Sequence, residues 1–349
     1  MSIHLGDGAT PLSPSKKYDR CNLMNRLLLS ICIPTYNRAT FLGECLESLA
    51  RLDTGYWGDV EVIVSDNAST DNTVEVVDRY RQSIPIRYFR NESNIGGERN
   101  FFAAASHGSA EHVWVFGDDD IFEEAAIVSA LKHIRLGYDL IVLNYSTWSL
   151  EMDAKLNSRG LARTKPSTYD DPNAVLASLG SHLGYISSLI VRKEMYLSTP
   201  PEEYEPFVQY GFSHLYSVYC GIRSGCLAVC LPDPVFKRRE DNCTIFTGES
   251  ANSNWINYFI KGTALVFEAL GRNGYSSLAV VRAKNQVLRD FVARRILTGM
   301  NDVNRLSLMR LIYRHYRWNW RFWTICLPAL LMPRRLLSFA RGMYVLARR

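Results

Sequence analysis

The stretch HVWVFGDDDIF, His112 to Phe122, decides how this chain reads. Val113 to Phe116 form a buried-looking apolar run, Gly117 ends it, and three carboxylates follow: Asp118, Asp119 and Asp120. Adjacent like charges repel, and each is costly to bury unpaired. One reading is a held cation, because Mg²⁺ and Mn²⁺ take oxygen ligands and bridge carboxylates to substrate phosphates. The other is a plain strand-to-helix turn, with an Asp capping the helix and favouring its N-terminal dipole.

Outward from this stretch the same grammar repeats. LLLSICI (27–33) reads as a buried strand stopped by Pro34, and residues 39–52 carry apolar positions at helical spacing. VEVIVS (60–65) is a second strand, followed by a helix from Asp71; IRYFR (86–90) is a third. NIGGERNFFAAASHG reads as a glycine-opened helix, EHVWVF (111–116) as the fourth strand, 123–136 as a helix and 138–145 as another strand. Strand and helix alternating at this rhythm predict an α/β fold with a mostly parallel sheet flanked by helices. Function in such sheets gathers at the carboxyl ends of strands. PTYNR follows the first strand, DNASTDN the second and GDDD the fourth, so the three polar clusters share one edge. That shared edge favours a site over a turn.

Past residue 150 the pattern weakens. Residues 151–175 read as a loop, GYISSLIV (184–191) and CLAVCL (226–231) as strands, and FVQYGFSHLYSVYCGI (207–222) as one helix between them. Helical stretches over 255–271 and 277–299 precede a basic end. The expected division is a polar tail at 1–26, a domain over 27–245 (nucleotide-binding half 27–145, acceptor half 146–245) and a helical region over 246–349.

An apolar share of 47% and a charged share of 21% describe an ordinary globular chain. Residues 310–349 hold nine Arg and no Lys or acidic residue; set against the whole-chain +5, the other 309 residues carry a net −4. Eight Cys form no CxxC pair, which disfavours zinc and fits a reducing, cytoplasmic compartment. No signal-peptide pattern and no apolar run long enough to span a bilayer appears.

Neither GxGxxG nor a P-loop follows the first strand, which disfavours dinucleotide and P-loop enzymes. In Pro34-Thr35-Tyr36-Asn37-Arg38, the Tyr face could stack on a base and Arg38 could reach a phosphate, or the segment is a Pro-ended strand with a polar helix start. Asp66, before Asn67, could accept from a base or ribose, or form an Asx turn. Gly96-Gly97 would let backbone approach a ligand, or simply open a helix.

Together SICIPTYNRATFLGECLESL, VIVSDNASTDNT, NIGGERNFFAAA and VWVFGDDD resemble a family 2 glycosyltransferase of the GT-A fold, over roughly residues 27–145. The NxGGxxNF and GDDD variants are most similar to abequosyltransferase-type members that build bacterial surface polysaccharides. The resemblance implies an inverting transfer from a nucleotide-diphosphate sugar, with Mn²⁺ or Mg²⁺ as cofactor. It implies that Pro34–Arg38 lie against the nucleotide and that Asp66 contacts the base. It gives Asp118 the ribose or donor sugar and Asp120 the metal, with Asp118 also a candidate metal ligand and Asp119 the variable middle residue. Arg99 and Asn100 fall where the family's chain passes the donor.

The chain departs from the family at the general base. Ser213-His214 stand where many members carry an ED pair. His214 could be a near-neutral base or a structural His, and Glu205 and Asp241 are the carboxylate alternatives. The Arg- and Trp-rich end over 310–349 fits an in-plane contact with an anionic membrane better than nucleic acid, since no nucleic-acid motif accompanies it; a basic helix packed on its own domain is the plainer reading. Such a contact suits a lipid-diphosphate-linked saccharide acceptor and a peripheral place on the cytoplasmic face of the inner membrane. Rival readings are a sugar nucleotidyltransferase, which would want a basic glycine-rich loop after the first strand, and a non-catalytic carbohydrate-binding relative.

Overall fold

Seven consecutive residues of β1 (Leu29–Thr35) are buried, and so are all seven of β2 (Val60–Asp66). Strands buried on both faces belong inside a parallel sheet covered by helices. With β3 (Ile86–Arg90) and β4 (His112–Val115) they form a parallel run in the order β3-β2-β1-β4. The connecting helices are α1 (Ala39–Ala50), α2 (Thr73–Tyr80) and α3 (Gly97–His107). Alternate side chains enter two cores: Ile31, Ile33, Val62, Val64 and Trp114 join α1, whereas Cys32, Ile63, Val113 and Val115 join α3. The computed structural model describes residues 27–52, 54–240, 251–289, 305–333 and 336.

Beyond β4 the sheet continues with β5 (Ile121–Phe122), β6 (Leu140–Trp148), β9 (Leu189–Arg192) and β10 (Ala228–Arg239), α4 (Ala126–Arg135) lying between β5 and β6. The full order is β3-β2-β1-β4-β9-β6-β10-β5. The expected α/β architecture holds, with a mostly parallel sheet flanked by helices. Strand β9 runs antiparallel between β4 and β6, which alternation alone did not foretell. It lets the chain between β9 and β6 return over the edge where GDDD lies.

The region read as a loop is more structured than expected. Lys155–Asn157 (β7) pairs with β6, Ser167–Tyr169 (β8) pairs with β10, and Pro172–Leu179 forms α5. The α5 signal was legible, because Asp171 accepts from the Asn173 amide as N-cap and Pro172 occupies the first turn. Residues 184–188 form tight turns instead of strand, and β9 begins only at Leu189. The single helix expected over 207–222 is broken. Helix α7 (Pro201–Val208) ends before Gly211, whose φ is +72°, and α8 (Ser213–Ile222) starts anew, α6 (Lys193–Tyr196) being a single turn. Strand β10 runs twice the expected length, through register shifts around Pro234.

Helix α9 (Ala251–Arg272) packs on α8, and α10 (Ser277–Gln286) on α5. The Arg305–Tyr316 helix is tied to both α9 and α10: Glu268 of α9 accepts from Lys284 Nζ at 2.8 Å and faces His315 Nδ1 at 3.3 Å. Among the described residues no helix is long and apolar enough to cross a membrane.

Candidate active site

Three strand ends converge as their spacing predicts. At the end of β1, Thr35 Oγ1 donates to Asp118 Oδ2 at 2.7 Å. Arg38 spans the aspartates, Nε lying 3.0 Å from Asp118 Oδ1 and Nη2 2.8 Å from Asp119 Oδ2. Between them Asn37 takes a φ of +51°, a region Asn tolerates, and its Oδ1 accepts from the Thr70 amide at 2.7 Å. Tyr36 is 41% exposed beside it, free to present its ring. The loops after β1, β2 and β4 are thus stitched together.

Asp66 is wholly buried. Its Oδ1 accepts from the Ser69 amide, and its Oδ2 accepts from Tyr88 Oη and faces Arg90 Nη1 at 3.3 Å. A base contact at Asp66 would therefore have to displace Arg90 or Tyr88. Asn67 accepts from the Ile95 amide and Asn91 Nδ2, and donates to Asn94. Asn100 donates to the Ser65 carbonyl and accepts from Ser65 Oγ and Asn91. These asparagines hold the NIGG turn, where Gly96 has a φ of +88° and a Cβ on Gly97 would meet nothing within 4 Å. The open N-terminus of α3 follows, a natural place for a phosphate.

Asp120 is 2% exposed. It accepts from Tyr185 Oη and, at 3.2 Å, from the Arg239 amide. Burial pushes the carboxyls of both Asp118 and Asp120 up, and the charge of Asp119 adds to that push. Arg38 answers the charge of Asp118 and Asp119, but among the described residues no Lys or Arg pairs with Asp120. Arg238 stacks over Tyr185 at 5.0 Å without pairing there. A buried, hydrogen-bonded carboxylate with no direct ion pair, within electrostatic reach of Arg38 and Arg238, fits a divalent ion. Among the described residues no three His, Cys, Asp or Glu are arranged to hold a metal ion by themselves, so substrate oxygens and water would complete such a site.

Residues 30–177 match the Glycosyl transferase family 2 family. The abequosyltransferase RfbV of Salmonella typhimurium is 29% identical over 228 residues, 62% of this chain and 68% of RfbV. The chain carries a family 2 glycosyltransferase domain. The poly(ribitol-phosphate) beta-N-acetylglucosaminyltransferase TarS of Staphylococcus aureus is 32% identical over 108 residues, 30% of this chain but only 18% of TarS. A crystal structure of TarS residues 1–349 with UDP-GlcNAc superposes at a TM-score of 0.56 and 17% identity, over 90% of this chain and 88% of that one. The mannosyltransferase PcManGT of Pyrobaculum calidifontis, in complex with GDP-Man and Mn²⁺, gives a TM-score of 0.50 at 16% identity, over 92% of this chain and 87% of that one. The solved structures agree on the GT-A fold.

Within this glycosyltransferase the three base candidates fare differently. His214 is 2% exposed on α8, with Nε2 3.0 Å from the Gly184 carbonyl and Nδ1 3.5 Å from Glu98 Oε2. Glu205 on α7 is surface-facing, ion-paired with Arg99, whose Nη1 also donates to the Ile95 carbonyl beside Gly96. Asp241 lies outside the described residues. Sequence reasoning missed Tyr185, Ser187 and Glu98. Ser187 Oγ accepts from the Gly117 amide at 2.9 Å, and its carbonyl accepts from Trp114 Nε1 at 2.7 Å. Nothing local marks these residues, since their partners lie more than 60 positions away.

Proposed function

We propose that this glycosyltransferase is inverting and divalent-metal-dependent, moving a sugar from a nucleotide-diphosphate donor to a hydroxyl of a lipid-diphosphate-linked saccharide during bacterial surface polysaccharide synthesis. The observation that carries the metal is Asp120, a buried carboxylate with no direct ion pair among the described residues, beside Asp118 and Asp119 held by Arg38. Mn²⁺ or Mg²⁺ on Asp120, with Asp118 at its side, would neutralise charge on the leaving diphosphate. PcManGT, of the same fold, is a complex with Mn²⁺. The chain's own residues do the rest. Thr35 and Arg38 orient Asp118, Asn67 and Asn100 hold the NIGG turn, and Gly97 leaves room for the donor at the α3 N-terminus. Tyr36 stacks on the base, with Asp66 shaping the turn behind it. Glu205, paired with the Arg99 guanidinium that lies by Gly96, accepts the proton of the attacking hydroxyl.

The acceptor is read from two surfaces. Trp148, at the end of β6, carries Lys237 Nζ at 4.6 Å and Lys155 Nζ at 5.1 Å from its ring. Neither ammonium pairs with a carboxylate among the described residues, and Lys237 is in register with Ile121, the neighbour of Asp120. A stacking ring between two cations suits a phosphate-bearing saccharide, and TarS by its name acts on poly(ribitol-phosphate). In the turn after Tyr316, Trp318 is 91% exposed, with Trp320 and Trp323 also at the surface among Arg314, Arg317 and Arg321. That patch supports docking on an anionic membrane at the cytoplasmic face. The proposed division is a catalytic unit over 27–245 and a membrane-directed region over 246–349.

Incubation with Mn²⁺ and a panel of nucleotide sugars tests the reading. Release of nucleoside diphosphate is expected. Pyrophosphate released from sugar phosphate and a nucleoside triphosphate would mark a nucleotidyltransferase, and no turnover with no metal-dependent binding would mark a carbohydrate-binding protein.

A further inference from the structure

The loop Gly184–Ser188 clasps the GDDD turn from the far side of the sheet edge. Tyr185 Oη donates to Asp120 Oδ2, and Ser187 Oγ accepts from the Gly117 amide. Ser188 Oγ closes the loop on itself by donating to the Tyr185 carbonyl at 2.6 Å. The residue before Tyr185 is held from beneath, because Gly184 offers its carbonyl to His214 Nε2 at 3.0 Å. A Cβ on Gly184 would come within 3.0 Å of Phe212, so loop and α8 are in close contact there.

A carbonyl oxygen only accepts, so His214 Nε2 carries a proton and donates it. Nδ1 makes no hydrogen bond and faces Glu98 Oε2 at 3.5 Å. The same Glu98 oxygen accepts from the Ser213 amide at 2.9 Å and from Ser213 Oγ, so one buried carboxylate from the start of α3 caps α8 and flanks the imidazole. With one nitrogen committed to Gly184, the other turned to Glu98 and the ring 2% exposed, no acceptor hydroxyl reaches it.

We infer that His214 and Glu98 are positioning residues: they hold the Gly184–Ser188 loop so that Tyr185 orients Asp120. The chain of contacts runs from α3, whose start forms the donor-side glycine turn, through α8 to the carboxylate assigned to the metal. Its last link rests on the metal reading above. Outer groups that orient a ligand typically change metal affinity by about 10- to 100-fold when removed.

The test uses the full chain with Mn²⁺ alone, followed by the spin resonance of the free ion, together with hydrogen exchange of the peptides covering 117–120 and 184–188. Tyr185→Phe is expected to weaken Mn²⁺ binding about tenfold while leaving the thermal midpoint within a few degrees. His214→Leu is expected to do the same and to raise exchange in both peptides. His214→Gln keeps an amide N–H at about the reach of Nε2 but cannot act as a base. It should restore protection, Mn²⁺ affinity and turnover to within about threefold of wild type, with an unchanged pH–rate profile. His214→Gln as inactive as His214→Leu, with full protection and Mn²⁺ binding, would make His214 a proton acceptor and overturn the inference. So would unchanged Mn²⁺ affinity in Tyr185→Phe. If the wild-type chain binds no Mn²⁺, the metal reading fails on its own, and exchange in His214→Leu against His214→Gln decides the positioning role.

Discussion

Thr35 and Asp118 lie 83 positions apart and share a 2.7 Å hydrogen bond that joins the ends of β1 and β4. Arg38 reinforces that seam. Its side chain is 14% exposed and pairs with both Asp118 and Asp119. Removing one partner of such a largely buried pair leaves uncompensated charge, so Arg38→Gln should cost about 3 kcal/mol in urea unfolding at neutral pH. Arg38→Lys, a point charge that cannot fork across two carboxylates, should fall between Gln and wild type. Equal stability of all three would show that the seam does not depend on the guanidinium.

The aspartates should separate by environment. Asp120→Ala is expected to abolish Mn²⁺-dependent thermal stabilisation by nucleoside diphosphates. Asp119→Ala should only weaken it, since the Asp119 side chain is 21% exposed and already answered by Arg38. Identical losses would undo that ranking.

Glu205→Gln is expected to lower turnover by about 10²-fold or more with donor binding retained, the usual loss when a general base is removed. Asp241→Asn, assayed alongside, should keep most activity. The reverse pattern would move the base to Asp241.

Acid stability should report on Glu268. Burial alone raises its carboxyl, but hydrogen bonds from His315 and Lys284 outweigh this and hold it at about 2. A folded value below the unfolded one means the stabilisation is complete above the unfolded carboxyl range near about 4.3 and is lost as the pH falls from there through about 2. Urea unfolding of wild type should therefore weaken between those limits, and Glu268→Gln should lack that share of the pH dependence. Parallel curves would remove Glu268 from the acid response.

Deleting residues 318–349 should release the protein from vesicles containing phosphatidylglycerol, and the double substitution Trp318→Ser, Trp320→Ser should weaken co-sedimentation without unfolding the catalytic part. Vesicle binding that survives both changes would relocate the contact.

The order of strands and helices through residue 145 was legible because buried two-sided strands and amphipathic helices leave local periodic marks. The placing of PTYNR, DNASTDN and GDDD on one edge then followed from connection rules alone. Past residue 150 the marks fade. Three-residue strands such as Lys155–Asn157 have no period to read, and β10 runs through two prolines that normally argue against a strand. The break at Gly211 and the Asp171-Pro172 start are the exceptions, because both are written in local turn chemistry.

By itself the sequence determined the α/β plan, the family resemblance and the three polar clusters, because each is written in residues a few positions apart. The tertiary structure alone decided what those clusters touch. GDDD ends a strand in either view, but Asp120 meets Tyr185 across 65 positions and the Arg239 amide across 119, and Glu98 meets Ser213 across 115. Such pairs depend on strand register and on the path of loops packed by two separate cores. No local period encodes them, so His214 stood as a possible base in the sequence, and its surroundings, a carbonyl and a buried carboxylate, appeared only on folding.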